Sequence, residues 1–111
     1  MAVGIVTLKE RHRRKLQQMA QALVEIDAAL TAYAREHGGR FIRYGSTAEG
    51  RMRMHSDVDI IADFPGEASL AAADVAENIC FTHGMTPDAH PGAYVSSGFK
   101  AESERRGLVL A

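Results

Sequence analysis

The chain has 111 residues, of which 46% are hydrophobic, and its 13 Lys and Arg residues nearly balance its 14 Asp and Glu residues. This length predicts one domain, residues 1–111, with enough apolar side chains to form a core without disulfides or a structural metal. The near-neutral charge argues against a dedicated nucleic-acid-binding protein, because such domains are usually strongly basic.

The first predicted element is a long amphipathic helix. It begins at Thr7, whose hydroxyl can accept from the amide of Glu10 in a capping box. Gly38 ends it, since glycine adopts the left-handed cap without a steric penalty. The basic run at residues 11–15 is interpreted as the solvated first turns of this helix. One apolar face at helical spacing is formed by Leu16, Met19, Ala20, Leu23, Ile26, Leu30, Tyr33 and Ala34.

Short strands and helices alternate over the rest of the chain. We predict strands over residues 41–44, 57–64 and 85–89, the last confined by Pro87 to a sheet edge or a strand start. Helices are predicted over residues 67–83 and 99–106, with a turn at 46–56, a loop at 91–98 and an apolar tail at 108–110. This order predicts an α+β sandwich, in which helices pack on one small mixed β-sheet.

Two acids stand at the head of an apolar strand. Asp57 and Asp59 precede the apolar pair Ile60 and Ile61. Since residues i and i+2 of a strand point to the same face, the two carboxylates aim together and repel each other unless a cation lies between them. Mg²⁺ prefers carboxylate and phosphate oxygens, so the pair predicts a Mg²⁺ site. The structural alternative is that Asp57 is only an acid at the start of a strand.

A Gly-Ser pair lies ahead of these acids in the sequence. Gly45 lets the backbone approach a ligand closely, and Ser46 adds a hydroxyl. A helical turn that began at Ser46 would offer free amide groups to an anion. Together the turn and the acids predict a nucleoside triphosphate held by a phosphate-binding turn and a metal ion.

This spacing of glycine, serine and paired aspartates resembles the signature of the polymerase-β-type nucleotidyltransferases. The resemblance is detailed over residues 40–64 and is closest to the minimal single-domain members of that superfamily. Such members are often antitoxins beside a helical ribonuclease toxin of the "higher eukaryotes and prokaryotes nucleotide-binding" type. The residues that carry the resemblance are Gly45, Ser46, Ala48, Gly50, Arg53, Ser56, Asp57 and Asp59.

The resemblance implies a reaction, a metal and a partner. The reaction is transfer of a nucleoside monophosphate to an acceptor hydroxyl, with AMP from ATP as the favoured case and a partner toxin as the favoured acceptor. The metal is Mg²⁺, held by Asp57 and Asp59. The implied nucleotide contacts fall on Gly45, Ser46, Gly50, Arg53 and Ser56.

The resemblance also implies a third carboxylate on the next strand, which joins the metal site and deprotonates the acceptor. Asp88 is the candidate, because it is the only Asp in the predicted third strand. Asp63 shares the face of Asp59 but lies too far along its strand. Asp74 belongs to a predicted helix.

One position departs from the family pattern. Similar proteins commonly carry an arginine where this chain has Glu49. A carboxylate beside the phosphate turn would weaken anion binding unless it faces solvent or pairs with Arg51 or Arg53. The alternative function is therefore a non-catalytic antitoxin or binding module that neutralises a helical ribonuclease by direct contact. A kanamycin-type transferase half is the third case, for which the chain leaves no room for an acceptor pocket.

The sequence further predicts a cytoplasmic protein that associates with itself or with a partner. Cys80 is the only cysteine, so nothing indicates an oxidising compartment. The N-terminal apolar run is too short for a signal peptide, and no segment has the roughly 20 apolar residues of a membrane span. The long helix and the apolar tail offer more apolar surface than one small sheet covers, which favours association.

Overall fold

The computed structural model describes residues 7–111, which form three helices and four strands. The helices are α1 over Leu8–His37, α2 over Ala68–Thr82 and α3 over Ser97–Arg106. The strands are β1 over Arg40–Tyr44, β2 over Val58–Asp63, β3 over Pro87–Pro91 and β4 over Leu108–Leu110. A 3₁₀ turn over Gly92–Tyr94 connects β3 to α3.

Helix α1 has the caps that the sequence predicts. The Thr7 hydroxyl accepts from the amide of Glu10 at 3.1 Å. Gly38 is left-handed with φ of 72° and donates its amide to the carbonyl of Ala34. Residues 7–15 are all exposed, as is Ala20, which was predicted on the apolar face. The sheet therefore supports only the C-terminal part of α1, where the buried residues are Met19, Leu23, Ile26, Leu30 and Ala34.

The sheet is mixed, with the strand order β3-β2-β1-β4. Strand β1 lies between β2 and β4 and is antiparallel to both, whereas β2 and β3 are parallel. The register places Asp59 of β2 opposite Tyr44 of β1 on one side and opposite Asp88 of β3 on the other. The predicted α+β sandwich with a small mixed sheet is confirmed, and its strand pairing places two of the predicted acids side by side.

Helices cover the two faces of the sheet unequally. On one face, α1 and α2 pack over Phe41, Val58, Ile60 and Ala62, and this layer is the main hydrophobic core. The other face carries the side chains that alternate with these, and we call it the α3 face because α3 is the helix that lies on it. Asp59 lies near one end of this face, where it is half-buried.

Ion pairs fix α3 at the opposite end of the α3 face. Asp63 accepts from Arg40 at 2.7 Å and from Lys100 of α3 at 3.1 Å. Although burial opposes ionisation, these two hydrogen bonds hold the pKa of Asp63 below its usual value. Arg40 also donates to Glu104 of α3, which lowers the pKa of Glu104. Asp63 therefore helps to hold α3, at the end of β2 away from Asp59.

Several predicted boundaries are wrong by one or two residues, and the tail is wrong in kind. Residues 108–110 form β4, because β1 supplies a pairing edge that the local sequence does not reveal. The third strand starts at Pro87 and not at residue 85, since the amide of Met85 still bonds to the carbonyl of Cys80 at 2.9 Å. Asp57 lies just outside β2, because strand pairing starts at Val58.

No helix among residues 7–111 is both long and apolar enough to span a membrane. The apolar run that bears on the signal-peptide expectation lies in residues 1–6, outside the described residues.

Candidate active site

Three predicted acids lie near one end of the α3 face. Asp59 and Asp88 are register partners on the parallel strands β2 and β3. Asp57 lies just before β2, and its charge acts on Asp59. Asp57 and Asp88 are exposed, whereas Asp59 is half-buried. The structure thus places Asp59 beside Asp88, with Asp57 near enough for its charge to act on Asp59.

The surroundings of Asp59 disfavour its charged form. The pKa of Asp59 is raised to about 6 by burial, by the charge of Asp88 and a side-chain hydrogen bond with it, and by the charge of Asp57. The charge of His90 acts in the opposite direction. Burial, followed by the charges of Asp59 and Asp88, likewise raises the pKa of Tyr44 to about 12. Part of the rise in the pKa of Asp59 comes from repulsion between carboxylates, which a bound cation would relieve.

The Gly-Ser turn lies directly beside Asp59. Gly45 is left-handed with φ of 76°, and a Cβ on it would collide with the Asp59 carboxylate oxygen Oδ2. The carbonyl of Gly45 accepts from the amides of Ala48 and Glu49, each at 3.0 Å, which makes one helical turn after Ser46 as predicted. Glycine is required at position 45 both for its φ and for the close approach of the carboxylate.

The serine hydroxyls of the connection between β1 and β2 are bonded to each other. Ser46 Oγ donates to Ser56 Oγ at 3.0 Å, and the amide of Arg53 donates to the same Ser56 oxygen at 2.8 Å. The structure therefore joins Ser46 and Ser56 next to the acids. The Arg53 side chain lines a hollow against α1 with His12 and Leu16, and Gly50 lines a groove on the α1 side. The contacts of Arg53 and Gly50 with a nucleotide stay predictions.

A buried arginine holds the turn from below. Arg43 is 7% exposed and forms a bidentate salt bridge with Asp27 of α1, in which its Nε and Nη2 donate at 2.8 Å each. Its Nη1 donates to the Thr47 carbonyl at 2.9 Å and also contacts the Thr47 hydroxyl. A planar guanidinium that bonds on both sides fixes orientation as well as distance. Arg43 thus ties α1 to the residue that follows Ser46.

Glu49 is engaged in ion pairs. Its carboxylate accepts from Arg106 of α3 at 2.9 Å and lies 3.4 Å from the guanidinium of Arg51. Arg51 is one of the partners expected from the sequence, whereas Arg106 lies in α3, far along the chain, and could not be inferred. The negative charge that departs from the family pattern is therefore compensated by two cations.

An aromatic hollow adjoins the acids on the α3 face. It encloses about 400 Å³ and is lined by Tyr44, His90, Tyr94, Val95, Ser96 and Phe99. The Tyr44 and Phe99 rings meet edge to face with centroids 5.3 Å apart. The hollow lies beside the carboxylates and has the size of small ligand pockets, so it can receive part of a substrate.

Sequence reasoning missed His90, Tyr44 and Arg43 as parts of this site. The Nε2 of His90 lies 3.1 Å from Asp88 Oδ1. Its signal was the i, i+2 spacing from Asp88 within a strand, which puts both on one face. The signal for Tyr44 was its position directly before Gly45, where the predicted phosphate-binding turn begins. Nothing local marks Arg43, since its partner Asp27 belongs to a helix earlier in the chain.

The fit of a metal ion depends on the donor chemistry of the acids. Among residues 7–111, no three His, Cys, Asp or Glu side chains lie close enough to hold one metal ion as they stand. The donors nevertheless fit Mg²⁺, which commonly uses one or two carboxylates together with substrate phosphates and water. The register pairing of Asp59 with Asp88 is the structural observation that supports this fit, and the raised pKa of Asp59 agrees with it.

The chain is similar to a family of known proteins. The family model described as "Nucleotidyltransferase domain" matches residues 10–107 of the chain. No curated protein and no solved structure matches. The family match covers most of the sequence and includes the acids, the Gly-Ser turn and α3.

Proposed function

The chain belongs to the nucleotidyltransferase domain family, and we propose that it catalyses metal-dependent transfer of a nucleoside monophosphate to an acceptor hydroxyl, with AMP from ATP as the favoured case. The observation that carries this proposal is the cluster of Asp57, Asp59 and Asp88 beside the Gly45 turn. Family membership supports nucleotidyl transfer in general. The cluster supports a cation as the means, because burial and then the neighbouring carboxylates of Asp88 and Asp57 raise the pKa of Asp59, and a cation would offset both.

In the proposed reaction the acceptor oxygen attacks the α-phosphorus of the triphosphate. A new oxygen–phosphorus bond forms, the bond between the α-phosphorus and the bridging oxygen breaks, and pyrophosphate leaves. We assign to Asp88 the task of orienting the acceptor hydroxyl and accepting its proton, because its side chain is 52% exposed and open to an incoming group. A divalent cation such as Mg²⁺, when bound by Asp57 and Asp59 with Asp88, would neutralise and orient the triphosphate.

The turn after Gly45 has the remaining role of holding phosphate oxygens. Ser46 offers a hydroxyl, and the first amides of a helical turn can donate to an anion. Arg43 keeps this turn in place through Thr47. We therefore assign phosphate binding to the turn and the adjacent Ser56.

For the acceptor we propose a hydroxyl on a partner protein, with a helical toxin as the favoured partner. The acids lie at an open end of the sheet, where the described residues place only α3 and the 3₁₀ turn above the face. A side chain presented by a large partner can reach such a site. The aromatic hollow beside it offers a place for the flanking part of that partner.

A second candidate function is a binding module without catalysis, which neutralises a partner by contact. It is favoured by the lack, among residues 7–111, of three acids or histidines already arranged around one metal position. The two functions differ in whether the protein responds to nucleotide. A pure binding module would hold its partner equally well with and without Mg²⁺ and ATP.

Label transfer tests the proposed function. The protein is co-expressed with the product of the neighbouring reading frame and incubated with Mg²⁺ and ATP labelled at the α- or the γ-phosphate. We expect covalent label on the partner from α-labelled ATP only. Asp59→Asn should abolish it, whereas Asp74→Asn, an exposed substitution on α2 with the same charge change, should not. Stable partner binding with no label from either ATP would support the binding module instead.

A further inference from the structure

The first turns of α1 extend beyond the support of the sheet. Residues 7–15 are all exposed, and the first buried residue of the helix is Met19. Helical segments shorter than roughly 12–15 residues are marginal in water unless they pack on something. This part of α1 therefore gains stability from any surface that packs against it.

A stripe of side chains runs along α1 beside its buried face. Arg13, Leu16, Ala20, Val24 and Asp27 are spaced by three or four residues, so they lie on one side of the helix. We call these five residues the α1 stripe. Ala20 is exposed, and Val24 is 62% exposed although it lies in the middle of the helix.

The α1 stripe borders a groove of about 410 Å³ between α1 and the connection that follows β1. Leu16, Ala20 and Val24 line it from the helix, and Met52 lines it from the connection. Asp27 also lines it, and its carboxylate keeps 21% exposure although it is paired with Arg43. A carboxylate has capacity for further donors, so Asp27 can accept from a cation that arrives through the groove.

The pattern of the α1 stripe is complementary to itself when reversed. In an antiparallel pair centred on Ala20, Arg13 of one helix meets Asp27 of the other, and Leu16 meets Val24. The two Ala20 residues meet at the centre, where small side chains permit close approach. Charge meets opposite charge and apolar meets apolar at every position, which is the requirement for a two-fold symmetric contact.

We propose that the α1 stripe is the interface of a symmetric dimer, in which it binds the same stripe of a second copy of this chain in antiparallel orientation. The exposed N-terminal half of each helix then lies along the supported half of the other. This arrangement packs the turns that the sheet leaves bare and covers Val24. It does not depend on the proposed enzymatic activity.

Sedimentation over about 1–100 µM tests the proposal. We expect the wild-type protein to approach twice its 12.0 kDa mass. Arg13→Glu should weaken the dimer at least tenfold, because it creates two repulsive contacts with Asp27. Arg14→Glu is the matched control, since it makes the same charge change one residue outside the stripe and should leave the dimer intact. Both positions are exposed, so neither change disturbs the core.

Cross-linking tests the antiparallel register. Ala20→Cys should form a disulfide-linked dimer under mild oxidation, whereas Gln21→Cys, which points away from the stripe, should not. Native Cys80 is buried and does not interfere. A wild-type monomer at the highest concentration, equal effects of Arg13→Glu and Arg14→Glu, or a dimer that Ala20→Cys fails to link would each overturn the proposal.

Discussion

Asp59→Asn should make the metal-free protein more stable at neutral pH. The wild-type carboxylate is half-buried near Asp57 and Asp88, and these surroundings raise its pKa from the ordinary 3.8 to about 6. Asparagine has nearly the same shape and carries no charge. The substitution therefore removes repulsion from the folded state and leaves the packing around the site in place.

The size of the effect follows from the raised pKa. A displacement from 3.8 to about 6 corresponds to at most about 3 kcal/mol at pH 7. Solvent screens a carboxylate that is only partly buried, so we expect about 1–2 kcal/mol. Between pH 3.8 and about 6 the folded state binds more protons than the unfolded state, so wild-type stability falls as the pH rises through this window. The advantage of Asp59→Asn is therefore absent near pH 4 and complete above pH 6.

Thermal melts in the presence of a chelator measure this difference over a pH series. At pH 7 we expect Asp59→Asn to melt about 4–8 °C above the wild-type protein. Asp74→Asn on α2 controls for the change in net charge and should show no such pH dependence. A variant that melts below the wild-type protein at pH 7 would mean that Asp59 is a structural hydrogen-bond acceptor and not a member of a strained acid cluster.

Three further substitutions test the parts that surround the acids. Gly45→Ala should lower the free energy of unfolding in urea by more than about 1–2 kcal/mol, because it adds a collision with Asp59 to the left-handed strain. Gly50 has φ of 74° and open space around it, so Gly50→Ala should show the strain alone. Arg43→Lys should cost about 1–3 kcal/mol in the same assay, since lysine cannot reproduce the bidentate salt bridge, and an unchanged midpoint would refute the holding role. Glu49→Gln should change stability by less than about 1 kcal/mol and tighten ATP binding about twofold by calorimetry; weaker binding would contradict this.

The sequence predicts the acid site well because its information is local. Gly45 is fixed by a turn that needs positive φ, and Asp59 follows from the alternation of side chains in a strand. Placing Asp88 required a second strand, and the parallel register with Asp59 bears out its position. The roles of these residues in metal and nucleotide binding stay predictions, since position alone does not test them.

The parts that sequence reasoning missed all depend on contacts between distant segments. Arg43 stands in a short strand where its burial becomes tolerable only because Asp27 of α1 neutralises it. Residues 108–110 were predicted as a tail, because three apolar residues have no periodicity and acquire strand structure only beside β1. The covering of the α3 face depends likewise on Arg40 and Asp63, whose pairing no spacing rule predicts.

Glu49 shows how such distant contacts change the meaning of a local departure. In isolation, a carboxylate in the phosphate turn opposes anion binding and favours a decayed site. In the folded protein the same carboxylate joins the turn to Arg106 of α3, while Arg43 holds the turn from the α1 side. The turn is therefore fixed from both faces of the sheet, although it lies at an open end. Since a fixed turn loses less conformational freedom when it binds phosphate, Glu49 can support the proposed reaction through position while it opposes it through charge. The comparison of ATP binding by Glu49→Gln with its stability separates these two contributions.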